Sequence, residues 1–203
     1  MGRRVAAFCL AVLIAFAAGE ALASYRGTLS SVTHRGQLYN IETWDAEIDW
    51  YATFFDDGFR KAFTEKTIAI NHMEPGEAAA FAAEQQRRQD SGWDFFIVMY
   101  TKKDYRKFSM DPDTIWKAML TTESGEEVKP VDIEQIAITP YLKVVYPHFN
   151  RWSKAYRVTF PKVELGKKFW VTLMSVVGES SLKWVIQSPA ERQRGGGNKY
   201  KRP

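Results

Sequence analysis

The sequence predicts a mainly β, α+β fold: an antiparallel β-sandwich of about seven strands with a two-helix insertion between the first and second strands. Three observations lead there. Trp44, Ala46, Ile48, Trp50, Ala52 and Phe54 alternate with Asp45, Glu47, Asp49, Tyr51 and Thr53, the two-residue period of a half-buried strand. From Trp93 onward, short apolar runs recur between turn residues, as in an all-β body. Between these regions Pro75 opens a stretch whose Ala78 to Ala83 run strongly favours helix.

The chain begins with a segment that reads as a secretory leader, residues 1–23. Arg3 and Arg4 precede an uncharged apolar run from Val5 to Ala18, and Ala21-Leu22-Ala23 supplies the small residues a signal peptidase accepts before a cut at Ser24. A bilayer span needs roughly 20 apolar residues, and Glu20 ends this run short of that, so a cleaved leader is expected rather than a membrane span. Cys9, the only cysteine, lies inside the apolar run and leaves with it. That excludes a disulfide scaffold, a multi-thiolate metal site and a cysteine-linked lipid anchor. A periplasmic or secreted address follows.

Lys and Arg number 28 against 24 Asp and Glu, a formal charge of +4. The excess sits in a tail, residues 188–203, where Arg192, Arg194, Lys199, Lys201 and Arg202 face Glu191 alone and Gly195-Gly196-Gly197 favours flexibility. Nucleic-acid binding needs a basic face on the fold, so no nucleic-acid partner is expected. Residues 24–40, polar and with Ser30, Ser31 and Thr33 close together, read as a loose lead-in. Residues 41–187 read as one domain, long enough to bury about 70% of its unfolded surface, with the helical insertion at 56–91.

Within that domain the strand at Trp44 to Phe55 ends at Asp56-Asp57-Gly58, whose carboxylates suit a helix N-terminus. Phe59, Phe63 and Ile70 share a helical face with Ala62 and Thr67. The second helix has Phe81 as its only large apolar anchor and Gly92 as its closing residue, so it should sit lightly on the body. Phe95 to Tyr100 is apolar on both faces, as a strand covered by these helices would be. Ile115 to Thr122 and Val128 to Ile138 flank a hairpin turn, Glu123-Ser124-Gly125-Glu126. Tyr156, Val158 and Phe160 alternate in the next strand. Phe169 to Val177 and Leu182 to Ile186 form a second hairpin through Gly178-Glu179.

Several of these stretches together resemble a family of uncharacterised exported bacterial proteins. They are Trp50-Tyr51-Ala52-Thr53-Phe54 with Phe59-Arg60-Lys61-Ala62, then Trp116, Gly125-Glu126-Glu127-Val128-Lys129-Pro130 and Tyr146-Pro147. The run from Trp152-Ser153 through Tyr156, Val158 and Phe160-Pro161 follows, and Gly178 with Leu182-Lys183-Trp184 completes the set. The resemblance covers about two-thirds of the chain. Members are often lipoproteins, and this sequence departs from them in lacking a lipobox cysteine. The resemblance implies export and the fold; it carries no activity to any residue.

The chemistry-bearing residues give little. His34, His72 and His148 lack zinc-site spacing. Asp45, Glu47 and Asp49 share a strand face that could gather a hard cation, but such a row is more often a solvated face that guards a strand. Asp111-Pro112-Asp113-Thr114 lacks the central Gly and terminal Glu of a calcium loop. No Gly-x-Ser-x-Gly elbow occurs, and no Gly-rich phosphate loop follows a strand. No catalytic residue, cofactor or metal is therefore expected.

The long loop from Thr139 to Ser153 remains. Tyr146, His148, Asn150, Arg151 and Trp152 on it make a candidate contact surface for a protein, peptide or glycan. The competing reading turns Phe149 and Trp152 inward to plug the end of the sandwich, and the balance leans that way. The function expected is an exported, non-catalytic binding or assembly module of the bacterial cell envelope. The alternative is an exported hydrolase with a site near residues 139–153, for instance Ser153 with His148. Trp50 and Trp116, on the apolar sides of their strands, are expected in the core.

Overall fold

The computed structural model describes residues 25–39, 46–101, 110, 116–149, 152–176 and 178–186. The expected leader and basic tail lie outside the described residues, as does the Asp111 to Thr114 turn. The first element is a helix, α1, over residues 25–32. Strands β1 (Thr33–Tyr39) and β2 (Ala46–Phe54) follow, then helices α2 (Asp57–Ile70) and α3 (Pro75–Ser91). Strands β3 (Gly92–Tyr100), β4 (Lys117–Thr121), β5 (Glu127–Val128) and β6 (Asp132–Ile136) come next. Helix α4 (Pro140–Val145) precedes β7 (Lys154–Pro161), β8 (Lys168–Ser175) and β9 (Gly178–Val185).

The described residues thus form a mainly β protein with two antiparallel sheets. One has the order β1-β2-β3-β7-β6 and the other β5-β4-β8-β9. The alternation read in β2 sets its register: Trp50, Ala52 and Phe54 lie opposite Met99, Ile97 and Phe95 of β3, and all six are buried. Phe54 meets Phe169 of the second sheet at 5.0 Å, and Phe95 meets Trp184 there at 5.4 Å. The two sheets therefore share one aromatic core. Trp50 and Trp116 are fully buried in it.

Along one edge, side chains join the sheets. The Trp184 indole N–H donates to the Val32 carbonyl at 2.9 Å, and the Trp50 indole N–H donates to Ser180 Oγ at 3.0 Å. Gly36 on β1 makes room for that tryptophan, since a Cβ there would meet the Trp50 indole.

Helices cover the opposite face of the first sheet. Tyr146, just after α4, stacks on Phe96 of β3 at 4.0 Å, and Phe59 of α2 packs against Tyr146. Tyr25 of α1 reaches Phe59 and donates its hydroxyl to the Val145 carbonyl at 3.1 Å. This second apolar layer explains why β3 is hydrophobic on both faces. Helix α3 has one buried residue, Gln85. Gly92 ends it in extended backbone, and a Cβ there would lie 2.6 Å from the Phe160 carbonyl oxygen of β7.

Three expectations need correction. Residues 24–40 are not a loose lead-in: their described part forms α1 and β1, with Tyr25, Leu29 and Val32 buried one turn apart on a single helix face. The expected strand Val128 to Ile138 is two strands in different sheets, broken at Lys129-Pro130-Val131, where Pro130 brings no N–H to a ladder. The expected loop at 139–153 opens with α4, capped by Thr139, whose Oγ1 accepts from the Leu142 N–H, with Pro140 in the first turn. With β1 present and the long strand divided, the described strands number nine rather than about seven.

Candidate functional site

The segment after α4 divides at its middle. Tyr146, expected as a contact residue, is 2% exposed; it lies flat on Phe96 and is ringed by Phe59 and Phe63. Burial holds its phenol well above the ordinary pKa. It is a core residue, because α4 delivers it onto the outer face of β3 just where that strand is apolar. Phe149 also turns in, meeting Phe96 edge-on at 5.9 Å.

His148, between them, lies half-buried and parallel to Tyr51 of β2, with ring centroids 4.7 Å apart and planes within 7°. Burial lowers its pKa. Arg35 stands 5.5 Å from the same Tyr51 ring and pairs through Nε and Nη2 with both oxygens of Asp49. Trp152, just before β7, is 49% exposed. Asn150 and Arg151 lie outside the described residues. The structure therefore places His148 and Trp152 at a surface and removes Tyr146 from it.

A second polar cluster escaped the sequence. Asp56 caps α2 by accepting the Phe59 N–H at 2.7 Å, which sets Phe59 and Arg60 against the sheet. The buried Arg60 guanidinium donates from Nη2 to Asp94 of β3 at 2.9 Å, from Nε to Gln89 at 2.5 Å and from Nη1 to Gln85 at 3.3 Å. The other Asp94 oxygen accepts from the Thr159 hydroxyl at 2.7 Å. Burial pulls the Arg60 pKa down, and the facing Asp94 opposes that pull. Taking two charges out of water costs several kcal/mol per ion unless hydrogen bonds satisfy them, and here the amides of α3 and Thr159 do so.

An open cleft of ≈ 830 Å³ lies above this network between α2 and α3, lined by Asp57, Lys61, Gln86, Asp90, Trp93 and Lys162 among others. Lys162 sits 3.4 Å from the Trp93 ring centre and donates to the Gln89 carbonyl in the last turn of α3. Gln89 donates to Asp57, Gln86 to Asp90 and Lys162 to the Gln89 carbonyl, ties that help pin the two helices to the sheet. The only sequence signal for the cluster was an arginine on the apolar side of an amphipathic helix; its partner lies 34 residues away.

The remaining candidates scatter. His34 meets the Trp184 ring edge-on at 4.8 Å, and burial lowers its pKa. His72 occupies the turn after α2 with a φ of 48°. Of the acidic row, Glu47 is buried rather than solvated, Asp49 is held by Arg35, and Asp45 lies outside the described residues. Among the described residues no three His, Cys, Asp or Glu side chains are grouped to hold a metal ion. No helix among them is long and apolar enough to cross a membrane. Comparisons with models of protein families, with curated proteins and with solved structures find no match.

Proposed function

We propose that this protein is an exported, non-catalytic binding or assembly module of the bacterial cell envelope, built as an antiparallel β-sandwich with helices on one outer face. The observation that carries the reading is the split of the segment after α4. Tyr146 and Phe149 anchor it in the core, while Trp152 stands 49% exposed beyond the His148–Tyr51 stack. A surface-exposed tryptophan is a typical anchor for a partner. The Arg60–Asp94 network supports the non-catalytic part: although Arg60, Gln85 and Gln89 line the cleft, they bond one another and Asp94, which favours a structural role. The leader-like residues 1–23 and the resemblance to exported bacterial proteins support the address. The partner class is a protein, peptide or glycan of the envelope.

Chemical crosslinking in the envelope fraction, followed by mass spectrometry, tests this. Wild-type protein should capture a defined partner that Trp152→Ala loses while its melting temperature stays unchanged. Recovery of the protein from the cytoplasm with Met1 intact, or equal capture by both forms, would contradict the reading.

A further inference from the structure

Strand β6 leaves one edge of the first sheet open. It pairs with β7 on one side, and among the described residues no strand lies on its other side. Asp132, Glu134 and Gln135 are exposed along it, and no proline or bulge within it turns a further strand away. Unpaired backbone of this kind recruits another extended segment unless something guards it. The charge around this edge is one-sided. From Glu126 to Ile136 the chain holds Glu126, Glu127, Asp132 and Glu134 against Lys129 alone. Asp132 and Glu134 share one face of the strand, with Ile133 on the other. Glu134 also meets Arg157 of β7 at 2.8 Å.

The occupant that fits is the basic tail of this same chain. Residues 188–203 carry Arg192, Arg194, Lys199, Lys201 and Arg202 against Glu191. Lys199, Tyr200 and Lys201 alternate charge and ring. In an added strand both lysines would face Asp132 and Glu134, and Tyr200 would fall beside Ile133. The described residues end at Ile186, whose N–H bonds the Lys167 carbonyl and which lines one surface pocket with Val163, just past β7. Asp132 lies opposite Thr159, near that same end of β7. Residues 187–198 can extend to about 40 Å, which carries Lys199 to an edge one strand beyond β7. We propose that residues 199–202 add to the free edge of β6 as a further strand, so that the tail seals the sheet against other chains. A second copy is the poorer occupant, since antiparallel pairing about Glu134 would set that carboxylate against its own counterpart.

Amide hydrogen exchange on the purified full chain, beside a chain lacking residues 188–203, tests this. At low salt the amides of residues 132–136 should exchange about tenfold faster once the tail is removed, while those of β2 and β3 hold. The full-length variant Lys199→Glu, Lys201→Glu should lose the same protection, and salt at about 0.5 M should weaken it in wild type. A synthetic peptide of residues 188–203 should restore slow exchange to the shortened chain, and the peptide carrying both charge reversals should not. Equal exchange of residues 132–136 with and without the tail would overturn the proposal. So would protection that survives removal of the tail and rises with protein concentration, which would assign the edge to a second copy.

Discussion

Tyr146 and Trp152 stand six positions apart on one segment; the sequence offered both as contact candidates but favoured turning Trp152, with Phe149, inward as a plug. One is buried in a stack with Phe96; the other is half exposed. The difference comes from what lies beneath each. Tyr146 follows α4, which sets it over the outer face of β3, where Phe96 and Val98 need cover and α2 supplies Phe59 and Phe63. Trp152, just before β7, is left about half exposed. An aromatic-rich segment is therefore not a site as a whole, and the underlying sheet decides which of its rings are buried.

The comparison breaks first if Tyr146 is dispensable. Truncating a large buried aromatic side chain costs about 3–5 kcal/mol, so Tyr146→Ala should lower thermal stability as severely as Trp50→Ala; a Tyr146→Ala protein that melts like wild type would return that residue to the surface. The Arg60–Asp94 pair is the next lever. Removing one member of a buried pair costs about 3–5 kcal/mol, so Arg60→Met should strongly destabilise. The double variant Arg60→Met, Asp94→Leu removes both charges and should recover much of that loss in a denaturant titration. No recovery would show that the pair does more than fasten α2 to β3.

Much of the fold was legible because its signals are local. The alternation in β2, the Asp56 cap, Pro75 at the start of α3 and the 123–126 turn each lie within a few residues of what they specify. Strand β1 was hidden because its inward positions are His34, Gly36 and Leu38, a poor apolar stripe, and Gly36 is small to admit an indole from β2. The Tyr25, Leu29 and Val32 stripe of α1 was present at helical spacing but masked by the polar residues among it. The Arg60 network could not be read, since Arg60, Asp94 and Thr159 meet only after three distant elements assemble. For the same reason His148 and Trp152 were found as a composition, whereas the burial of Tyr146 needed the sheet.

A smaller effect should come from acid. Burial lowers the pKa of His34 against Trp184 and of His148 against Tyr51. Above the ordinary histidine range both rings are neutral in folded and unfolded chains, and neither affects the balance. As pH falls through about 6.5 the unfolded chain takes protons that the folded one resists, so stability declines until the folded histidines also titrate. Melting temperatures between pH 7.5 and 5 should fall, and His148→Phe with His34→Phe should flatten that slope; an unchanged slope would assign it to other groups. Smallest of all is the exposed Arg35–Asp49 pair, whose loss in Arg35→Ala should change stability by no more than about 1 kcal/mol.

The central claim is that the exposed half of the segment after α4 serves contact and its buried half serves the core. Trp152→Ala and Trp50→Ala, melted side by side and then crosslinked in the envelope fraction, test it most directly. The account predicts that Trp152→Ala melts with wild type and loses the partner, while Trp50→Ala melts far lower. A Trp152→Ala protein that melts as low as Trp50→Ala, or keeps its partner at full yield, would contradict it.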